Sequence, residues 1–402
     1  MAAKQHRPQS QAGFTLIELM ISMGIILTIT IAAFSLMDGA MRTSATFYEQ
    51  TEAQQNLRIT QDHINRDLTD TGYKLANISD GLLRVPLDFT QTYISANPVG
   101  TVTTGPADEH YVRLRLVTSD DDVPAALSDV LTGTDRITTI RSDIRSDDEI
   151  DGVPTFPLSV LRRVGASGDP IVKPNLNTFR VDLFQTRENT DPVRLANIVN
   201  KFRVGEVYLF DNSSTAAALG VVTAVTTGPN ASVTFAGGDA YGLNKNGVPH
   251  LTKVAYPDGY ANNAIPEALT ITRIQLVTYF VDADGLLRRR VFGRPRPVAT
   301  PVEDFIADAL AGEVIAEHFT DLQFRYEVRD EIDPNVVLTV DSLTEVQQAL
   351  VRQAEFQTEA ETAHAVGGAK DAEHHYGKLR TSSTTRTSLR NVVYGPADQR
   401  FN

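Results

Sequence analysis

Hydrophobic positions follow two patterns along this chain, an unbroken apolar run near the N-terminus and shorter periodic segments after it. The run extends over 24 residues from Phe14 to Met37, and Glu18 is its only charged residue. A helix of that length measures about 36 Å, enough to cross a hydrocarbon core of about 30 Å. We therefore expect residues 14–37 to form a transmembrane helix. Basic residues ahead of the run place its N-terminal end in the cytoplasm.

Helical spacing continues beyond the apolar run. Two apolar sets recur at steps of four and seven, the spacing of one helix face; they are Met37, Met41 and Tyr48, then Leu57, Ile64, Leu68 and Leu75. The charged residues that lie away from this face are Arg58, Asp62, Arg66 and Asp70. Gly72 supplies a stop signal. The pattern predicts that residues 38–75 continue the helix outside the cytoplasm and that its second half packs on a globular head.

Residues 76–402 are expected to form a β-rich globular head, because period-two alternation, which is typical of half-buried strands, dominates from Ile78 onward. The alternation is clearest at 112–116 and 322–328. A hairpin is expected from 269–281 and 286–292 around Asp282–Gly285, and a second from 204–210, turning at Asp211-Asn212 and returning through Gly220 to Thr226. A last strand is expected near 389–394, and 341–363 is open to helix or strand. Loops are predicted at 119–124, 147–157 and 165–174.

The fold class that follows is α+β, with a long N-terminal helix packed on an antiparallel, β-sheet-rich head. The charge and the cysteine content exclude several classes of function for this chain. A formal charge of −13 repels phosphate backbones and argues against nucleic acid as a partner. Cysteine is absent, which excludes disulfides, thiolate metal sites and cysteine nucleophiles.

Glu18 is the unusual residue of the apolar run. Placing a carboxylate at mid-bilayer costs about 2.5–3.5 kcal/mol of insertion free energy, so a carboxylate found there usually has a functional role. Glu18 lies four residues after Phe14, about 6 Å along a helix, just under the cytoplasmic headgroups. A free amine on Phe14 of a neighbouring subunit would neutralise it, which requires cleavage after Gly13. An ordinary secretory signal instead carries its small-residue cleavage site behind the apolar core.

The segment Gly13-Phe14-Thr15-Leu16-Ile17-Glu18 resembles the processing motif of type IV pilins and type II secretion pseudopilins. The resemblance implies that residues 1–13 are a leader, removed after Gly13 by a prepilin peptidase that methylates the Phe14 amine. It also implies that Glu18 pairs with such an amine during assembly. A plain membrane anchor is the remaining interpretation of the segment.

The hairpin around Asp282–Gly285, the stretch Glu313–Arg329 and the closing segment Ser382–Asn391, which together cover the last third of the chain, are similar to the heads of PilW-like minor pilins. This looser resemblance implies a minor pilin of the type IV pilus that primes assembly at the fibre tip, without a cofactor and without enzymatic activity. Its partners would be other minor pilins, the major pilin and the inner-membrane assembly platform. A type II secretion pseudopilin and a membrane-tethered periplasmic enzyme or binding protein stay open as alternatives.

Other candidate chemistry is weak. Gly165–Asp169 fails the nucleophile elbow and Gly237–Asn244 lacks a phosphate-binding lysine. Glu373-His374-His375 is typical of a solvated loop, and the start of a calcium loop at 147–152 lacks its closing glutamate, so no metal site is expected. Arg288 and Arg290 share one face of a predicted strand. They are candidate contacts for a ligand or an acidic partner, with a charged strand edge as the alternative.

Overall fold

The computed structural model describes residues 15–73, 75, 83–96, 98, 101–103, 110–124, 129–142, 158–160, 172–175, 178–182, 199–200, 202–211, 217–227, 232–245, 251, 254, 269–330, 332–333, 335–364 and 378–389. The chain divides into two compact units. One comprises Met1–Glu52 with Thr362–Leu379, and the other comprises Ala53–Glu361 with Arg380–Asn402.

Helix α1 spans Leu16–Thr69, 54 residues without interruption. Its residues in the first unit are mostly exposed, including Met37, Met41 and Tyr48. A backbone hydrogen bond from Thr362 to the carbonyl of Leu379, at 2.9 Å, also belongs to this unit.

The second unit begins with the last part of α1. The buried residues of this part of α1 are Ala53, Leu57, Thr60, Ile64, Asp67 and Leu68. The predicted apolar face is therefore confirmed for Leu57, Ile64 and Leu68, and Leu75 is buried beyond the helix. The helix ends three residues before the predicted stop, since Gly72 lies in the following turn with φ 72° and donates to the carbonyl of Ile140 at 2.8 Å.

The largest sheet has eleven described strands. They are β1 (Leu83–Pro86), β2 (Thr101–Thr103), β3 (His110–Leu114), β4 (Val117–Asp120), β5 (Arg136–Ser142), β6 (Leu158–Val160), β9 (Val207–Asp211), β10 (Ala217–Val221), β13 (Leu269–Val281), β14 (Leu287–Phe292) and β15 (Glu313–Ala316). The order along the main path is β15-β14-β13-β9-β10-β1-β3-β2. Strand β13 organises the sheet, because β6, β5, β9 and β14 all pair with it in antiparallel register.

Two four-stranded sheets complete the described strands. One orders β11 (Ala224–Thr226), β12 (Ser232–Ala236), β8 (Thr178–Asp182) and β7 (Val172–Asn175). The other orders β17 (Val337–Val340), β16 (Phe319–Arg329), β18 (Val351–Glu361) and β19 (Arg380–Ser388). Two short helices, α2 (Leu87–Tyr93) and α3 (Val302–Ala311), pack on the large sheet, where Phe89 and Tyr93 of α2 contact Phe292 of β14. This arrangement confirms the α+β class, a long apolar helix followed by a β-sheet-rich head.

Several predicted elements are confirmed in position. Strand β16 alternates as expected, with buried residues at every second position from Leu322 to Val328. The hairpin of β13 and β14 turns at the expected residues, where Oδ1 of Asp282 accepts from the backbone N–H groups of Asp284 and Leu286 and Gly285 adopts φ 75°.

Other predicted boundaries were wrong or incomplete. Residues 119–120 and 172–174 were expected in loops but belong to β4 and β7. The return strand of the second hairpin begins at Ala217 and ends at Val221, and 224–226 pairs in a different sheet. Within the open segment 341–363, Val351–Glu361 forms strand β18, which pairs with β16, and Gln347–Ala349 forms a short 3-10 helix. The last described strand covers 380–388, ahead of the predicted 389–394, of which residues 390–394 lie outside the described part.

Candidate functional site

The N-terminal end of helix α1 carries the residues that the sequence singles out. Gly13 and Phe14 lie outside the described residues. Thr15 is the first described residue, directly before the helix. Oε2 of Glu18 accepts from the backbone N–H of Thr15 at 3.1 Å and from its hydroxyl at 2.9 Å, while the N–H of Glu18 donates to Oγ1 of Thr15 at 3.3 Å.

This reciprocal pattern is a capping box. Thr15 satisfies a backbone donor of the first turn, and Glu18 satisfies the donor of the capping residue. The carboxylate of Glu18 is therefore hydrogen-bonded within its own chain. The sequence contains the signal for this capping box, a threonine three residues before a glutamate, but the apolar context draws attention to the charge of Glu18 instead.

The apolar part of α1 has the properties of a membrane anchor. Helix α1 is the one helix in the described part of the chain that is long and apolar enough to cross a membrane, and none of its most apolar segment is buried inside the protein. Large side chains such as Leu16, Met20 and Ile26 are more than 60% exposed, which is unfavourable in water. These features fit membrane anchoring.

At the other end of α1, Asp67 is the centre of a buried ionic network. Its Oδ1 accepts from Nη1 of Arg141 at 2.7 Å, and its Oδ2 accepts from Nε of Arg289 and from the hydroxyl of Tyr279, both at 2.6 Å. Nη1 of Arg141 also reaches Asp70 at 3.2 Å. Three strands of the large sheet are thereby joined to one helical residue.

The charges in this network shift the titration of its members. Burial by itself would raise the pKa of Asp67, but the hydrogen bond and the charge of Arg289, with the charge of Arg141, hold that pKa below its usual value. Burial and the neighbouring carboxylate raise the pKa of Tyr279 well above its usual value. Asp67 is therefore ionised and Tyr279 protonated at neutral pH, the states that the hydrogen bonds require.

Asp67 was missed by the sequence reasoning, which counted only apolar residues on this helix face. The available signal was an acidic residue three positions after Ile64 and directly before Leu68, inside the apolar stripe. A charge on a buried helix face requires a partner in the packed elements.

The structure places Arg288 and Arg290 on one face of β14, as predicted, and uses both within the chain. Nε of Arg288 donates to Asp282 at 2.5 Å. Arg290 is only 4% exposed, donates to the carbonyl of Leu310 at 2.8 Å and to Asp129 at 3.1 Å, and stacks over Phe280 at 4.6 Å. The alternative of a charged strand edge does not fit these two residues, because β15 pairs with β14 at Arg288 and because Arg290 is buried.

One group of acidic side chains in the described part has ligand atoms close enough for a metal ion. Carboxylate oxygens of Asp121, Asp122 and Asp135 lie within 4.8 Å of one another. Both oxygens of Asp135 already accept backbone N–H groups, from Asp122 at 3.0 Å and from Phe324 at 2.5 Å. Of the weak sequence motifs, 147–152, 165–169 and 373–375 lie outside the described residues.

Residues 8–34 match the family model described as the prokaryotic N-terminal methylation motif. No curated protein and no solved structure matches the chain. The matched segment contains Gly13, Phe14 and the Thr15–Glu18 capping box. The match supports a prepilin-type protein of the type IV pilin and pseudopilin class, and it favours a structural subunit over an enzyme. It implies processing by a prepilin peptidase in the context of pilus assembly.

Proposed function

We propose that this protein is a PilW-like minor pilin of the type IV pilus. A prepilin peptidase cleaves it after Gly13 and methylates the new amine of Phe14. Before assembly, the processed chain is anchored in the bacterial inner membrane with its head outside the cytoplasm. From there it enters a priming complex at the fibre tip, together with other minor pilins, the major pilin and the assembly platform. The observation that carries the proposal is the match of residues 8–34 to the methylation motif.

The position of Glu18 supports an assembly role. Glu18 follows Phe14 by four residues, a rise of about 6 Å in helical geometry, so its expected depth in the membrane matches that of a Phe14 amine on a neighbouring subunit at a modest axial offset. A methylated amine keeps its positive charge, and an ion pair removes the cost of an isolated carboxylate in lipid.

The capping box supplies hydrogen bonds to the Glu18 carboxylate in the unassembled protein. Before assembly, Thr15 supplies two donors to the carboxylate, so that Glu18 does not face hydrocarbon without a hydrogen bond. Entry into the fibre then exchanges two neutral donors for a charged one. A positively charged amine adds the Coulomb attraction of an ion pair, which is strong in a low-dielectric membrane, and this attraction favours the assembled state.

Head size supports the minor pilin over the type II secretion pseudopilin. Removing 13 leader residues from 402 leaves 389, most of them in the β-rich second unit. Type II secretion pseudopilins of the related J class usually have smaller heads than this chain has. Both kinds of protein share the methylation motif, so the motif supports either one.

Fibre entry tests the proposal. Wild-type protein and Glu18→Val are expressed in cells that carry the remaining subunits, and sheared fibres and membranes are probed for the protein. Glu18→Gln is the matched control, because it keeps the shape and a hydrogen-bond acceptor while removing the charge. We expect wild type in both fractions, and both variants in membranes but at least about tenfold depleted from fibres, a loss equivalent to about 1.4 kcal/mol. Equal fibre entry of Glu18→Val would contradict the pairing role, and absence of the wild type from fibres would contradict the minor pilin assignment.

A further inference from the structure

Strand β19 forms a long edge of its sheet. It pairs with β18 at nine consecutive positions, from Gln353 opposite Ser388 to Glu361 opposite Arg380, without a register shift. No described strand pairs with its other side. Every other edge strand in the described part of the chain has only three or four residues. Short edges are a common protection against unwanted pairing, so β19 is the exception.

The direction of each backbone group in β19 follows from its neighbours. The N–H of Leu389 donates to the carbonyl of Arg352 on the β18 side, and the carbonyl of Leu379 accepts from Thr362 on that side as well. In an antiparallel strand, the N–H and C=O of one residue point to the same side and successive residues alternate. Odd-numbered residues therefore face β18. The N–H and C=O groups of Ser382, Thr384 and Arg386 face outward.

This edge lacks the usual guards against pairing. The sequence of β19 contains no proline and no lysine. Its two arginines are directed onto their own sheet, since Arg386 contacts Glu355 at 2.8 Å and Glu327 at 3.1 Å, and Arg380 contacts Glu359 at 3.4 Å. A charge held over the sheet does not obstruct a strand that approaches in the plane of the sheet.

Helix α1 fixes the strand from one face. Nε2 of Gln61 donates to the hydroxyl of Ser383 at 2.5 Å, and the hydroxyl of Thr387 donates to Oδ1 of Asn65. These side chains alternate with the outward backbone groups and leave them open. The edge is thus held in an extended conformation before any partner arrives, which lowers the entropy cost of binding.

We propose that the open edge of β19 receives an extended strand from a different pilin-like subunit, by β-strand addition. The proposal rests on the proposed function, which places such subunits next to this one. Outward backbone groups recur at every second residue, and an extended polypeptide is the ligand that matches them. A second copy of β19 is the poorer occupant. The part of α1 after Ala53 and β19 run in the same direction, as the contacts Gln61–Ser383 and Asn65–Thr387 show, so antiparallel pairing of two copies of β19 would point these helix segments in opposite directions, unlike subunits that enter one fibre in the same orientation.

Residue-resolved hydrogen exchange tests the edge on the full processed chain. In detergent micelles, the amides of Ser382, Thr384 and Arg386 should exchange fast, while those of Ser383 and Thr385 should exchange slowly. In isolated fibres that contain the protein, the first set should slow by at least about tenfold. Fast exchange of that set in such fibres would overturn the proposal. Slow exchange in micelles, which would indicate a cover from within the chain or a second copy, would overturn it as well.

Thr384→Pro supplies the functional arm. Proline removes the outward N–H and leaves the β18 ladder intact, whereas the control Thr384→Val keeps the N–H and the strand preference. Processing and membrane levels of both variants should match wild type. Fibre entry should fall about tenfold for Thr384→Pro alone, provided that the Ser383 and Thr385 amides stay slow. Normal entry of Thr384→Pro would overturn the proposal while leaving the minor pilin assignment intact. If the Ser383 and Thr385 amides exchange fast in Thr384→Pro, proline has disrupted the strand, and the proposal is then judged by the hydrogen exchange of the wild-type protein alone.

Discussion

Arg289 donates from Nε to Oδ2 of Asp67 at 2.6 Å, and this bond joins the last turns of helix α1 to strand β14. The side chains are 15% and 3% exposed. A buried ion pair adds little over a well-packed apolar pair, but the loss of one partner leaves an uncompensated charge in the core. The bond therefore fixes which residue of the helix lies over which strand.

Asp67→Asn should destabilise the head by about 3–5 kcal/mol, because Arg289 would keep its charge without a counter-ion. Chemical unfolding of the full chain in detergent, followed by circular dichroism, measures the change. Asp62→Asn is the matched control on the same helix, since Asp62 is exposed, and its effect should stay below about 0.5 kcal/mol. Equal stability of the two variants would show that the network does not hold the helix.

The arginines of β14 should differ sharply in their effect on stability. Arg290→Ala leaves the carbonyl of Leu310 without its donor and removes the cation stacked on Phe280, so a loss of about 2–3 kcal/mol is expected. Arg288 is the more exposed of the two arginines, and Asp282 keeps two backbone donors after Arg288→Ala, so this variant should lose about 1 kcal/mol or less. Thermal unfolding of the two single variants measures the difference. A larger loss for Arg288→Ala would contradict the burial assigned to these side chains.

Asp135 should make the head less stable as pH rises from about 4 to 7. Burial, with the backbone hydrogen bonds opposing it and the charges of Asp121 and Asp122 adding to it, raises the pKa of this carboxyl from 3.8 to about 7. A group whose pKa is raised in the folded state stabilises the fold below its ordinary pKa and loses that contribution as pH rises through the folded value. Above pH 7 its contribution is constant.

Unfolding measured at several pH values, on wild type and Asp135→Asn, isolates this contribution. Asparagine does not titrate, so the difference in unfolding free energy between the two proteins should change between pH 4 and 7 and level off above. Asparagine accepts only one of the two backbone N–H groups of Asp122 and Phe324, so a constant offset is expected as well. A difference that does not vary with pH would contradict the raised pKa.

Local patterns were sufficient to predict the helix and the clearest strands. The unbroken apolar run predicts the first part of helix α1. The steps of four and seven through Leu68 and the alternation of 322–328 each follow one period that the structure retains. Turn chemistry predicted the 282–285 hairpin correctly, because Asp282 and Gly285 act within the turn itself.

Long-range pairing could not be read from such patterns. Strand β19 consists only of serine, threonine and arginine, and its strand conformation depends on β18 and on two side chains of α1. Asp67 and Asp135 are buried because partners far along the chain satisfy them, and one sequence does not reveal those partners. The candidate functional residues differ in the same way. The motif at residues 13–18 can be read from neighbouring residues, whereas the role of Arg290 depends on Leu310 and Asp129, which are distant in sequence.

Intact mass of the protein, purified from cells with and without an active prepilin peptidase, tests the central claim most directly. With the active enzyme, the chain should lose residues 1–13 and carry one added methyl group on Phe14. Gly13→Val should keep the leader, because a side chain at that position obstructs close approach of the peptidase to the backbone. A wild-type chain that retains residues 1–13 in the presence of an active peptidase would contradict the account.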